Sequence, residues 1–316
     1  MSDDEIGPEG LEQQESEPLD PSTAFKNFYK PVVERIFDET KIPDSLFHYT
    51  SAAGLLGILG QHKLWFSDAA FMNDGSEALH GLRVMSHVID EFMKDQPDEF
   101  KEAADRLKTE VSDAMRKFQP LIFCMSARDN LLNQWRDYGK DVVPYCIEFQ
   151  APALQQWSDF TFPVFLTKIV YDVEFQQSLT LQLVEAIFKR ALEIKGERQH
   201  FEEEEAAQLI RGAALEIVAL ITRFKNPAFE AEEEWRLVTF RSEIVPQVTR
   251  KFRTSSLGVV PYYEWEKVRN PKMLPVKGVT VGPSPYAQVS DLALKQFLDD
   301  QGYEAETYYS TIPIRR

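Results

Sequence analysis

The chain has 316 residues, 43% of them hydrophobic, and 35 Lys+Arg against 51 Asp+Glu leave a formal charge of −16. That length suits one large domain or two ordinary ones, with ample apolar material for a packed core. The deficit of basic residues excludes a broad nucleic-acid-binding face, because the phosphate backbone is held by clustered Lys and Arg.

Residues 1–22 carry Asp3, Asp4, Glu5, Glu9, Glu12, Glu15, Glu17 and Asp20 with no Lys or Arg, half of the formal charge. Acidic and poor in apolar residues, this stretch reads as a disordered leader, and one α+β domain is expected over residues 23–316. It lacks the positive start and apolar centre of a signal peptide. Elsewhere no apolar run approaches the ~20 residues of a membrane span, so a soluble, cytoplasmic protein without a membrane partner is expected. Cys124 and Cys146 each sit in an apolar run without metal spacing and read as buried structural thiols.

Phe25, Phe28, Tyr29, Val32 and Ile36 recur at helical spacing, with Pro31 set to kink or restart a helix there. Leu46–Thr50 reads as a short strand. Ser51 then caps a helix whose face is Ala52, Leu55, Leu56 and Leu59, closed by Gly60. Leu64–Phe66 is a second strand, and Asn73–Ser76 a loop rich in turn formers. Ala78, Leu82, Met85, Ile89 and Phe92 predict a helix with His80, Arg83, His87 and Asp90 on its polar side. A further helix is expected over Lys101–Phe118.

Leu121–Ser126 is apolar until its last residue, as in a strand buried on both faces. Asn133–Tyr138 reads as a short helix, Val143–Gln150 as an alternating strand and Phe162–Tyr171 as another. Between about residues 174 and 225 the pattern turns helical, with Val184, Ile187, Phe188, Ala191 and Leu192 in one stripe and Ala206, Ile210, Ala213, Ile217, Ile221 and Phe224 in the next. Strands resume at Trp235–Phe240 and Val276–Val281. A helix near Val289–Leu298 and a last strand through Tyr308–Ile312 follow. Strands on both sides of a helical insertion predict one α+β domain around a central sheet.

If residues 232–240 form a strand, alternation puts Glu232, Glu234 and Arg236 on one face. Mutual repulsion of the carboxylates raises a pKa and Arg236 opposes it, leaving the direction for each open. His48, between Phe47 and Tyr49, is either a hydrogen-bonded core residue or a site group. His80 and His87 read as a solvated face, and no metal is expected. No P-loop, GxSxG, GxGxxG, HExxH or zinc pattern occurs.

Taken together, Leu46–Ser51 with Gly54–Leu59, Leu64-Trp65, Asn73-Asp74 with Glu77, Gln134–Gly139, Glu232–Val238, Gly282-Pro283 and Ser310–Pro313 resemble bacterial domain-of-unknown-function family 2971 over about residues 44–316. The opening strand with histidine followed by a helix is also similar, more remotely, to the ADP-ribosyltransferase superfamily, including DNA-modifying toxins. The second resemblance implies a central split sheet with flanking helices, NAD as cosubstrate and cleavage of the nicotinamide–ribose bond, with a role in toxin or phage-defence systems.

It further implies that His48 holds a ribose and that Glu234 is catalytic with Glu232 as the partner of a Glu-x-Glu pair. Ser126, Tyr138 and Tyr145 compete for the middle position. Tyr49, Thr50 and Trp135 are expected beside the nucleotide, and Arg136 is either a pyrophosphate clamp or a structural ion-pair residue. The acceptor is left open among protein, nucleic acid and water. The alternatives are a nonenzymatic nucleotide- or protein-binding module of the same fold and a hydrolase using Glu232 and Glu234.

Overall fold

β3 (Pro120–Ser126) is the strand around which the others are arranged. In the computed structural model, which describes residues 20–21, 23–38, 41–71, 77–118, 120–139, 141–155, 159–197, 202–240, 248–255, 258–269 and 272–313, its seven residues pair along one edge with β6 (Glu234–Phe240). The opposite edge is shared. β1 (Ser45–Thr50) meets it at Phe47 and Ser126, while β2 (Lys63–Asp68) meets it at Ser67 with Ile122 and Asp68 with Leu121. Phe123, Cys124 and Met125 lie between these two pairings, where β1 and β2 diverge.

The sheet extends outward through β4 (Tyr145–Gln150), β9 (Val276–Val281) and β10 (Glu306–Tyr309) beyond β1, and through β8 (Gly258–Glu266) and β7 (Lys251–Ser255) beyond β2. β5 (Phe165–Lys168) pairs with β6. Among the described strands all pairings are antiparallel except β9 with β10. The mixed α/β architecture matches the expected class. β7 and β8 form a hairpin that the sequence reading did not anticipate.

α2 (Ala52–Leu59) crosses from β1 to β2, capped by Ser51, whose hydroxyl accepts from the Gly54 amide at 3.1 Å. Its buried face is Leu55, Gly57, Ile58 and Leu59, so Leu56, expected inside, is exposed. α5 (Leu132–Asp137) and α9 (Ala287–Asp300) were both anticipated, and a short α6 (Ala151–Leu154) follows β4. The predicted loop Asn73–Ser76 and most of the acidic leader lie outside the described residues.

A helical layer holds α1 (Tyr29–Asp38), α3 (Glu77–Phe92), α4 (Lys101–Phe118), α7 (Val173–Glu197) and α8 (Glu203–Ile221) around one apolar cluster. Pro31 falls in the first turn of α1, where a missing amide is tolerated, and the helix runs on unbroken. α7 and α8 lie between β5 and β6, where the sequence predicted helices. The buried stripe of α7 runs through Leu179, Leu183 and Ile187 to Ile194, so Ala191 and Leu192, placed inside by periodicity, face out. His80 is likewise not on a solvated face, because its Nε2 meets Gln176 Oε1 of α7 at 2.8 Å. Among the described residues no helix is long and apolar enough to cross a membrane.

Trp135, 2% exposed, packs on Tyr49 with ring centroids 4.8 Å apart and against Gly282, where an added Cβ would approach its ring to 2.8 Å and Pro144 to 2.6 Å. Gly282→Ala therefore overpacks a closed contact. Such overpacking costs about 1–3 kcal/mol, more than the roughly 0.4–1 kcal/mol that a stiffer unfolded chain returns. A fall in the urea midpoint with an unchanged m-value is expected.

Candidate functional site

The divergence of β1 and β2 opens a cleft of about 550 Å³ floored by the free edge of β3. His48 stands in this opening. Its Nδ1 lies 2.8 Å from the Cys124 carbonyl oxygen, which only accepts, so Nδ1 carries the proton and Nε2 keeps its lone pair. The bond satisfies a main-chain acceptor that the split leaves without a neighbouring strand. Stacking on Phe123, with centroids 4.3 Å apart, fixes the ring. Burial lowers the His48 pKa to about 4, the carbonyl bond opposing and Arg253 adding to the shift. The imidazole is therefore neutral at physiological pH.

Glu232 and Glu234 line the same cleft, but not by strand alternation. Residues Pro227–Glu232 form a 3-10 turn, and Glu233 takes a left-handed backbone at φ 44° before β6 begins at Glu234. This hinge brings the two carboxylates onto one ammonium. Lys225 Nζ lies 2.7 Å from Glu232 Oε2 and 2.8 Å from Glu234 Oε2. Arg236 adds a fork, Nε to Glu234 Oε1 at 2.6 Å and Nη2 to Oε2 at 3.0 Å, while Nη1 donates to the Thr222 carbonyl.

All four side chains are buried. Burial pushes the Glu234 carboxyl up, but Arg236 and Lys225 outweigh it and hold the pKa at about 2. Glu234 is a permanent carboxylate that cannot serve as a proton donor near neutrality.

Tyr49 and Thr50 line the cleft, but the Tyr49 hydroxyl is engaged structurally, donating to the Arg128 carbonyl at 2.9 Å and accepting from the Leu131 amide at 2.8 Å. Tyr138 lines it too, its phenol held neutral first by burial and then by the charge of Glu232. Ser126 does not reach the cleft wall. Buried, it donates to the Glu232 carbonyl at 2.8 Å and accepts from the Arg128 amide, which locks the Glu232 hinge to the end of β3. Tyr145 sits in β4 and is also outside the lining.

Trp135 points into the cluster with Tyr49 and Cys146 and bonds Asn130 through Nε1, and Arg136 is exposed away from the cleft. Cys124, expected to be fully buried, is half-buried and lines the cleft, whereas Cys146 is buried. Lining or supporting residues that were not anticipated include Lys225, Arg253 and Gln134. Lys225 follows an apolar helix end, Phe224-Lys225-Asn226-Pro227, and a cation there two turns before an acidic triplet is the one signal available. Among the described residues no group of three or more His, Cys, Asp or Glu is placed to hold a metal.

Residues 134–237, from α5 through the start of β6, match the family described as Protein of unknown function (DUF2971). The matched stretch contains Gln134, Tyr138, Lys225, Glu232, Glu234 and Arg236, so it supplies one wall of the cleft. Searches of curated proteins and of solved structures found no match.

Removing one member of a buried charge group leaves its partners uncompensated, which costs about 3–5 kcal/mol. Lys225→Met should lower stability by that order in urea at pH 7, and an unchanged midpoint would remove the lysine from the network. The sign in pH follows from the depressed carboxyl. Stability contributed by Glu234 is fully present above the unfolded-state value near 4.5 and is lost as pH falls toward about 2. Between those limits the melting temperature of the parent should fall more steeply than that of Glu234→Gln.

Proposed function

We propose that this cleft binds NAD or a related nucleotide and cleaves the nicotinamide–ribose bond, in the manner of an ADP-ribosyltransferase or NAD glycohydrolase. The observation that carries the reading is that His48 of β1 and Glu232 and Glu234 at the start of β6 line one cavity of a size usual for small-molecule sites, about 300–1,000 Å³. As the glycosidic bond breaks, its electron pair leaves with nicotinamide and positive charge develops on the ribose. A fixed carboxylate stabilises that charge more in the transition state than in the ground state.

Glu234 is ionised at every relevant pH and held by Arg236 and Lys225, so it is already oriented and needs no reorganisation. His48 Nε2 accepts from a ribose hydroxyl, and Tyr138 offers an aromatic face to a ring. Glu232 orients the acceptor, protein, nucleic acid or water, whose proton leaves as the new bond forms.

One observation favours a second reading. The two carboxylates are matched by two cations in the same buried group, which leaves Glu234 less charge to offer an oxocarbenium than an unpaired carboxylate has. A nonenzymatic nucleotide- or protein-binding module with the same cleft fits that neutrality. The hydrolase alternative is less well supported, because paired acid and base carboxylates flank their bond with one of them protonated, and here both gather on one lysine.

Glu234→Gln should reduce nicotinamide release from NAD at least a hundredfold, assayed below the melting temperature of the variant; undiminished release would end the assignment. His48→Ala should weaken NAD binding in calorimetric titration, and identical curves for parent and variant would take His48 out of the site. Because His48 titrates near 4, the rate should show no inflection between pH 5 and 8 that His48→Gln abolishes.

A further inference from the structure

The wall of the cleft opposite the carboxylates is built by β2 and the β7–β8 hairpin, and from it Arg253 lines the cavity. Its guanidinium is half-buried, yet among the described residues no carboxylate pairs with it. Nη2 donates to Ser67 Oγ at 2.9 Å, and Nε is buried without an acceptor among the described residues. Other cations of the hairpin and its neighbour are matched, with Lys251 and Lys63 sharing the Glu264 carboxylate. A guanidinium offers five donors in a planar fork and keeps its charge, so leaving it partly desolvated without a counter-ion is unfavourable unless a ligand supplies one.

The charges facing Arg253 across the cleft do not fill that role. Glu232 and Glu234 are compensated from behind by Lys225 and Arg236, and His48 between the two walls is neutral. Among the described lining residues Arg253 thus carries the uncompensated charge, a positive site in a chain with a formal charge of −16. Ser67, whose hydroxyl accepts from the guanidinium, adds a polar group to this corner. Trp65, from the same strand as Ser67, lines the cavity, and its Nε1 is a second buried donor without an acceptor among the described residues.

We infer that Arg253, with Ser67, forms a phosphate-recognition corner of the cleft, and that its ligand is a phosphorylated nucleoside whose phosphate meets the guanidinium fork. The inference deepens the proposed function and rests on that reading only for the nucleoside attached to the phosphate. Two parallel N–H···O bonds from a fork to phosphate oxygens are the strongest contact this chemistry offers. Arginine rather than lysine is required for them.

Calorimetric titration of the full chain with inorganic pyrophosphate, ADP and adenosine tests this, comparing the parent with Arg253→Gln and Arg253→Lys and following nicotinamide release from NAD on the same preparations. The parent should bind pyrophosphate, and should bind ADP more tightly than adenosine. Arg253→Gln should lose at least tenfold in affinity for pyrophosphate and ADP with adenosine unchanged, and Arg253→Lys should recover part of the loss. No pyrophosphate binding by the parent, or equal ADP affinity for the parent and a folded Arg253→Gln, overturns the assignment. If that variant does not fold, Arg253→Lys decides, and undiminished ADP affinity there overturns it as well. Arg253-dependent pyrophosphate binding without nicotinamide release keeps the phosphate corner and removes the glycosidic chemistry. Nicotinamide release with Arg253-independent binding does the reverse.

Discussion

The unequal use of the two edges of β3 is the constraint on which the rest of the structure depends. One edge is saturated by β6 from Pro120 to Ser126, and the other is divided between β1 at one end and β2 at the other. A strand cannot leave main-chain acceptors stranded in the interior without a penalty. The Cys124 carbonyl would be such a group, and the His48 imidazole meets it. The same splay that creates the need also creates the cleft, so the histidine is at once a structural strut and a wall of the cavity. Its protonated Nδ1 is committed to the fold and its Nε2 keeps its lone pair.

The buried group of Lys225, Glu232, Glu234 and Arg236 answers a second problem raised by the same geometry. Desolvating a charge costs several kcal/mol, and a buried pair seldom stabilises a fold more than apolar residues of the same size would. What the group provides here is position. Glu233 in the left-handed region turns the chain between a 3-10 turn and β6, and Ser126 ties the Glu232 carbonyl to the end of β3. With the Tyr171 hydroxyl accepting from the Glu234 amide, the two carboxylates are fixed from both main chain and side chain. A site held this way is preorganised before a ligand arrives.

How much of this was legible in the sequence depended on the kind of signal. Apolar periodicity located β1, α2, β2, α3, α4, β3 and α9, because each is long enough or capped clearly enough for burial to leave a pattern. It failed where helices are amphipathic on two sides, as with Leu56 and Leu192, whose exposure is set by which neighbour a helix meets. Resemblance brought out His48, Glu232 and Glu234, which the fold places together. It also brought out Ser126, and side-chain chemistry brought out Trp135 and Arg136, all three of which lie outside the cleft lining. Strand alternation gave the right neighbours for Glu232 by the wrong route, since a left-handed residue rather than a straight strand carries it there.

Arg253 and Lys225 escaped for a physical reason: a charged residue becomes notable only when its surroundings are known. Arg253 lies in a hairpin whose short strand, Lys251-Phe252-Arg253-Thr254-Ser255, alternates too weakly to announce itself, with Phe252 exposed. Lys225 belongs to a connection between a helix and a turn. In three dimensions the two cations divide the work of the cleft, for Lys225 is consumed by carboxylates and Arg253, among the described residues, is not. A cavity with a neutralised acidic wall, a neutral imidazole beside it and, among the described residues, one guanidinium without a carboxylate on the far wall is asymmetric along its length. Any ligand that uses all of it must present hydroxyl or ring groups to one end and negative charge to the other, and a phosphorylated nucleoside has that order of groups.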